Sequence, residues 1–321
     1  MTKGFDFSVS SFCNLCLKNE VTFDIMTEIN HIFGGAQMYP FSVGVMISNY
    51  RMPFKEAVEK AARLKLDGIQ LAGTREGHEF YPGVMTKDKI AELKNYLKEK
   101  NLILSAVCGE QMLGFFNRET NPQLIENSKR ILDMAKELDC NIVTTHIGVI
   151  PEDTTTERFK IMQEACYELA TYADSLGSHF AIETGPEKSP ILKTFLDSLG
   201  SKGVAVNLDP GNLVMCAGDN AVEAVYNLKD YIVHTHAKDG RQLQAEDLEH
   251  LYATAAAEQY HGVYIEELRL GEGNVNYPAY LAALKDIGYK GFLTIEREIS
   301  DAPAEDIAYG AGYLRALIEN N

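Results

Sequence analysis

The chain has 321 residues, 45% hydrophobic and 24% charged, with a formal net charge of −16, an acidic balance that repels phosphate backbones and disfavours nucleic-acid binding. No apolar run approaches the length of a membrane span, and the first residues lack the apolar core of a signal peptide. Six cysteines are too few to frame a chain this long with disulfides, so a cytoplasmic protein with reduced thiols is expected.

Residues 1–40 show no clear period and are read as an N-terminal extension. The sequence leaves open whether they are helical, disordered or part of a homo-oligomer contact. From 41 to 321, strand-like runs alternate with helical patterns. The predicted strands are 41–47, 68–71, 102–107, 141–146, 179–183, 203–209, 231–236 and 291–296. Between them, apolar residues recur at three- and four-residue spacing over 54–64, 90–97, 125–138, 159–173, 191–199, 221–228, 277–287 and 304–318. Strict strand–helix alternation argues a parallel sheet. Eight repeats of it argue a single (β/α)₈ TIM barrel as the catalytic domain. An open doubly wound sheet is the lesser reading, because no Gly-rich nucleotide turn follows the first strand. The stretch 240–275 is long for a connection, and long loops in compact domains are often functional.

Four of the later strands stop at an ionisable group: Glu183, Asp209, His236 and Glu296. Residues in phase with them (Ala181, Ala205, Asn207, His234, Thr294) are small or polar. Those out of phase (Ile182, Val206, Leu208, Val233, Leu293, Ile295) are apolar and suit the layer between strands and helices. In a barrel the four groups converge at the carboxyl ends of the strands, where active sites of this fold lie. Three uncompensated carboxylates there are electrostatically costly, and a bound divalent cation removes the cost. The oxygen and imidazole donors suit Mn²⁺, Mg²⁺, Co²⁺ or Zn²⁺, and the absence of thiolate argues against a structural zinc. His146 ends the fourth strand and faces either a substrate hydroxyl or the barrel wall. Lys238 and Arg241 follow the metal histidine and are read as phosphate or hydroxyl binders, or as surface charge. Cys13 and Cys16 form a lone CxxC without the context of a redox or zinc motif.

The segments Phe-Ala-Ile-Glu-Thr, Asn-Leu-Asp-Pro-Gly-Asn, His-Thr-His-Ala-Lys-Asp-Gly and Gly-Glu-Gly-Asn-Val-Asn-Tyr-Pro-Ala-Tyr resemble the xylose-isomerase-like barrel superfamily. That group includes sugar-phosphate isomerases and epimerases, ketose 3-epimerases, inosose dehydratases and endonuclease IV type enzymes. The resemblance covers residues 41–318. It implies one divalent metal held by Glu183, Asp209, His236 and Glu296. The endonuclease branch carries a histidine where this chain has Asn212, and an Asp-x-His pair after strand seven that this chain lacks. Its three-metal cluster is therefore incomplete here. The ketose 3-epimerases also have a histidine at the Asn212 position, and a second glutamate six residues after the strand-five ligand. Here Glu187 lies four residues after Glu183.

These features lead to a metal-dependent isomerase or epimerase of a small sugar, sugar phosphate or polyol-derived keto compound. Glu183 and Glu296 are its expected acid and base, acting through a metal-stabilised enediolate. His146, Glu187, Asn212, Lys238 and Arg241 are the expected substrate contacts. The rivals are an inosose-dehydratase-like lyase, an endonuclease IV type repair enzyme and a non-catalytic sugar-binding barrel.

Overall fold

A computed structural model of the protein describes residues 39–185, 187–245 and 261–320. The predicted extension, apart from its last two residues, and Cys13 and Cys16 lie outside the described residues. Seven strands follow in order: β1 (Ser42–Met46), β2 (Gly68–Leu71), β3 (Ile103–Cys108), β4 (Ile142–Thr145), β5 (His179–Glu183), β6 (Val204–Leu208) and β7 (Ile232–Ala237). A hairpin of β8 (Asp239–Gln242) and β9 (Ile265–Leu268) comes next, then β10 (Phe292–Ile295). Strands β1–β7 and β10 are all parallel. They close because β1 pairs with β2 on one side and with β10 on the other, while β10 pairs with β7.

The helices are α1 (Phe54–Arg63), α2 (Lys87–Glu99), α3 (Asn121–Glu137), α4 (Glu157–Ser175), α5 (Ser189–Leu199), α6 (Ala221–Asn227), α7 (Tyr277–Asp286) and α8 (Pro303–Glu319). Their starts are written in the sequence. Thr86, Thr156, Asn220 and Asn276 each accept a backbone N–H from the first turn of α2, α4, α6 and α7. Prolines sit in the first turn of α3, α5, α7 and α8, where their missing N–H costs nothing. Each helix then lays an apolar stripe on the strands, as α1 does with Ala57, Val58 and Ala61.

Inside the barrel the alternation predicted for the strands holds. Gln70, Thr144, Ala181, Ala205, Asn207, His234 and Thr294 are buried, and polar side chains of this set bond to one another. The long stretch after β7 is described at its two ends. Its two ends pair antiparallel, with Asp239 opposite Leu268 and Arg241 opposite Glu266. No described helix is long and apolar enough to cross a membrane. Cys108, Cys140 and Cys166 are free thiols.

Candidate active site

Glu183 closes β5 and His236 lies in β7, while Asp209 and Glu296 each come one residue after their strands. Asp209 is fixed by the motif that follows it. Pro210-Gly211-Asn212 makes a single helical turn, and Asp209 Oδ1 caps it by accepting the Asn212 N–H at 2.8 Å. Gly211 is required there, because a Cβ would lie 2.8 Å from the Lys238 backbone carbon. The second Asp209 oxygen faces His236 Nδ1 at 3.3 Å. Around the same nitrogen stand Glu183 Oε1 at 3.3 Å and Glu296 Oε2 at 3.2 Å. One donor atom from each of the four residues lies within 4.8 Å of the others, and all four residues are buried.

The polar interior orients this cluster. His236 Nε2 is 2.8 Å from Gln70 Oε1, and the Gln70 amide nitrogen donates to Thr144 Oγ1 at 2.8 Å. The Gln70 oxygen accepts from Nε2–H, so that loss of the ring's second proton leaves an Nδ1 lone pair facing the carboxylates. Asn207 Nδ2 donates to Glu183 Oε2 at 3.0 Å, while Asn207 Oδ1 is 2.8 Å from His234 Nδ1. His234 Nε2 in turn accepts from Thr294 Oγ1 at 2.9 Å. Burial, reinforced by His236, holds His234 well below its ordinary pKa, so it stays a neutral support one layer down.

Charge in the cluster is unbalanced. Burial pushes the Glu183 and Glu296 carboxyls up, but His236 outweighs it with help from His146 and Lys238 respectively, and both end below the usual range. Burial opposes the charge on His236, yet Glu296 and Glu183 draw its pKa well above the ordinary value. One imidazole proton thus answers three buried carboxylates. A divalent cation fits the donor set better: it brings two charges to the point where three oxygens and a nitrogen lone pair converge.

A cavity of about 350 Å³ opens on the cluster, a size suited to a small molecule. Glu183, Glu296, Asn212, His146 and Lys238 line it. Asn212 Nδ2 donates to Glu183 Oε1 at 3.3 Å. His146 stands just past β4, with Nδ1 3.0 Å from Glu110 Oε2 and Nε2 3.7 Å from Glu183 Oε1. Against the effect of burial, Glu183 and Glu110 push its pKa up to about 10. Lys238 is buried with Nζ 3.0 Å from Glu296 Oε2 and 4.0 Å from Glu267 Oε2, and it also pairs with Glu298.

Two expected substrate contacts are placed elsewhere. Arg241 sits on the hairpin, with Nε 2.6 Å from Glu266 Oε2 on the opposite strand. Glu187 is buried and is not among the cavity's lining residues; its Oε2 accepts the Ile150 N–H at 3.3 Å. Burial, only partly offset by that bond and by His146, pushes the Glu187 carboxyl up to about 8. The folded chain therefore keeps this proton where the unfolded chain, ionising near 4.5, has lost it. Stability is lost as pH rises through that window, and the penalty is complete above about pH 8. Glu187→Gln is expected to gain melting temperature over the wild type as pH rises from about 5 to about 8, with a constant gap above. Thermal melts across pH check this, and a gap independent of pH contradicts it.

Gln70, Glu110, Glu267 and Glu298 were not singled out in the sequence. Gln70 had one available signal, since it is a polar residue inside an otherwise apolar strand run. The three glutamates lie in or beside connections, where acidic residues are common.

The sequence model of the xylose isomerase-like TIM barrel family matches residues 58–317, and the chain belongs to that family. It is 27% identical over 217 residues to the uncharacterized protein MJ1311 of Methanocaldococcus jannaschii, covering 64% of this chain and 67% of that protein. An inosose dehydratase of Lacticaseibacillus casei is 24% identical over 131 residues, 41% of this chain and 43% of the dehydratase. The chain thus spans less than half the length of that relative. A xylose isomerase domain protein from Planctomyces limnophilus shares the fold with a TM-score of 0.68 and 23% identity, over 88% of this chain and 98% of that one. The IolI protein with a bound zinc atom also shares it, with a TM-score of 0.68 and 16% identity over 87% and 98%. A barrel from Mycobacterium smegmatis in complex with magnesium aligns with a TM-score of 0.63 and 17% identity, over 88% and 97%.

Proposed function

We propose that the protein is a divalent-metal-dependent isomerase or epimerase of a small polyhydroxy carbonyl compound. It would take a proton from the carbon beside the carbonyl and return it. The observation that carries this reading is the convergence of Glu183, Asp209 and Glu296 on His236 Nδ1 at the floor of the cavity. The four residues would hold one Mn²⁺, Mg²⁺, Co²⁺ or Zn²⁺ ion, and the zinc and magnesium in the related structures support that. When bound, such an ion supplies Lewis-acid polarisation of a carbonyl oxygen and an anchor for the neighbouring hydroxyl.

The chain's own residues account for proton movement. Glu183 and Glu296 come from different strands and flank the same nitrogen, so they address a bound carbon from two sides. Glu183 is oriented by Asn207 and Asn212, and Glu296 by Lys238. One glutamate, as carboxylate, accepts the substrate proton, and the other, carrying a proton of its own, delivers that one to the opposite face, the pair being reset by exchange with solvent. His146, held by Glu110, lies close enough to Glu183 to exchange that proton or to donate to a substrate hydroxyl.

Dehydration is the second reading. It is favoured by the sequence matches to inosose dehydratases of Lacticaseibacillus casei and Clostridium perfringens and by the similar fold of a probable 3-DHS dehydratase from Bacillus anthracis. It begins with the same proton abstraction and ends with loss of a β-hydroxyl. Both readings are tested by incubating the metal-loaded protein with ketoses, aldoses and inososes in deuterium oxide. NMR is expected to show deuterium entering beside a carbonyl. A new carbinol configuration or carbonyl position identifies isomerisation or epimerisation, and loss of a hydroxyl identifies the lyase. No exchange with any of these compounds contradicts both readings.

A further inference from the structure

We infer that the compound handled in this cavity is uncharged, and that its phosphate esters and carboxylic acids are rejected. The inference rests on the proposed function and narrows its substrate class. Two independent features carry it: the charge around the cavity, and a backbone nest already filled by a side chain of the protein itself.

Glu110, Glu183, Glu267, Glu296 and Glu298 line the cavity, and Asp209 borders it through the cluster. Among the described lining residues Lys238 is the sole lysine or arginine, and Glu296, Glu298 and Glu267 already surround its ammonium. With Glu267 answered by Arg297, a divalent ion, Lys238 and a charged His146 still leave the five remaining carboxylates, Glu110, Glu183, Asp209, Glu296 and Glu298, in excess. A further anion would meet a cavity that repels it. The remaining polar lining is neutral: Ser48, Asn49, Thr145 and Asn212. Such groups suit hydroxyls, each able to donate or accept.

Barrels of this architecture often seat a phosphate on the loops after the seventh and eighth strands. Here that region contains a ready nest of backbone N–H groups, but Asp239 occupies it. Its carboxylate accepts from Gly240 at 2.8 Å, Gly271 at 2.9 Å, Gly273 at 3.1 Å and Val275 at 3.0 Å. Asp239 is fully buried, and a Cβ on Gly273 would collide with it. The nest therefore ties the hairpin to the start of α7 and offers no N–H to a ligand. Nearby arginines are also engaged internally. Arg297 binds Asp306 and Glu267 at 3.0 and 2.8 Å, and Arg269 binds Asp306 at 2.6 Å.

The test uses the Mn²⁺-loaded full chain and matched ligands: D-fructose with its 6-phosphate, D-ribulose with its 5-phosphate, 2-keto-D-gluconate, and a myo-inosose. Paramagnetic relaxation of ligand protons reports binding without requiring turnover. At least one neutral compound is expected to bind, with its anionic counterpart at least about tenfold weaker. An ester or keto acid that binds as tightly as its neutral partner overturns the inference and leaves the proposed function standing. Binding of none overturns both. A second arm measures melting temperature with and without inorganic phosphate. The wild type is expected to be indifferent, while Asp239→Ala, with its nest emptied, is expected to be stabilised. A wild type stabilised by phosphate overturns the claim that the nest is closed.

Discussion

Glu183→Gln and Glu296→Gln are each expected to lose turnover by ~10²–10⁴-fold, the usual worth of a positioned acid or base, while losing metal affinity by a smaller factor. A glutamine keeps the length of the side chain and one oxygen able to coordinate, but it cannot exchange a proton at neutral pH. The two variants differ in their secondary effects. Both Glu183 oxygens accept amide N–H groups, one from Asn207 and one from Asn212. A glutamine must turn its own NH₂ towards one of them, leaving a buried donor unsatisfied at a cost of about 1–3 kcal/mol. Glu183→Gln should therefore also lower the melting temperature. At Glu296, Oε2 meets the Lys238 ammonium and the His236 ring, and a carbonyl oxygen can still accept from Lys238. Single-turnover rates on metal-saturated variants check the prediction. Near-normal turnover in both would move the search for the base to His146 and Lys238.

The second large effect is on metal binding and on the stability it brings. Asp209→Asn preserves the cap on the Asn212 N–H, because asparagine caps about as well as aspartate. It removes one anionic ligand while leaving the helical turn in place. His236→Ala removes the nitrogen on which all three carboxylates converge and strands Gln70. Both variants are expected to lose metal affinity. A chelator should lower the melting temperature of the wild type, since a ligand of the native state stabilises it by mass action, and should shift these variants less. Asp209→Asn stripped of metal is expected to be at least as stable as stripped wild type, because it holds one fewer crowded carboxylate. Equal chelator responses in wild type and variants would contradict this.

The barrel was legible in the sequence because its signal is redundant. Each strand is a short apolar run with a matching helix after it, and β1–β7 and β10 match the predicted runs, with β3 and β7 each running one residue further, to Cys108 and Ala237. The four candidate ligands were legible because a period of two along a strand fixes which side chains point inward, so a polar group ending each run had one direction to face. Residues that depend on the path of a connection were not legible in this way. Glu187 meets the Ile150 N–H, thirty-seven residues away in the chain, and sequence distance from Glu183 says nothing of that contact. Arg241 belongs to a hairpin whose partner strand lies more than twenty residues on, and the cross-strand Glu266 that holds it is set by pairing register. Glu110 reaches His146 from the β3 connection, and Glu267 reaches Arg297 from β9. These are tertiary meetings of residues that look ordinary in the chain.

The central assignment is that Glu183, Asp209, His236 and Glu296 together hold one divalent ion. Calorimetric titration of Mn²⁺, Mg²⁺, Co²⁺ and Zn²⁺ into chelator-stripped protein, with elemental analysis of the product, tests it most directly. One ion per chain is expected for the wild type, with binding weakened in Asp209→Asn. No binding of any of the four ions, or three zinc ions per chain, would contradict the assignment.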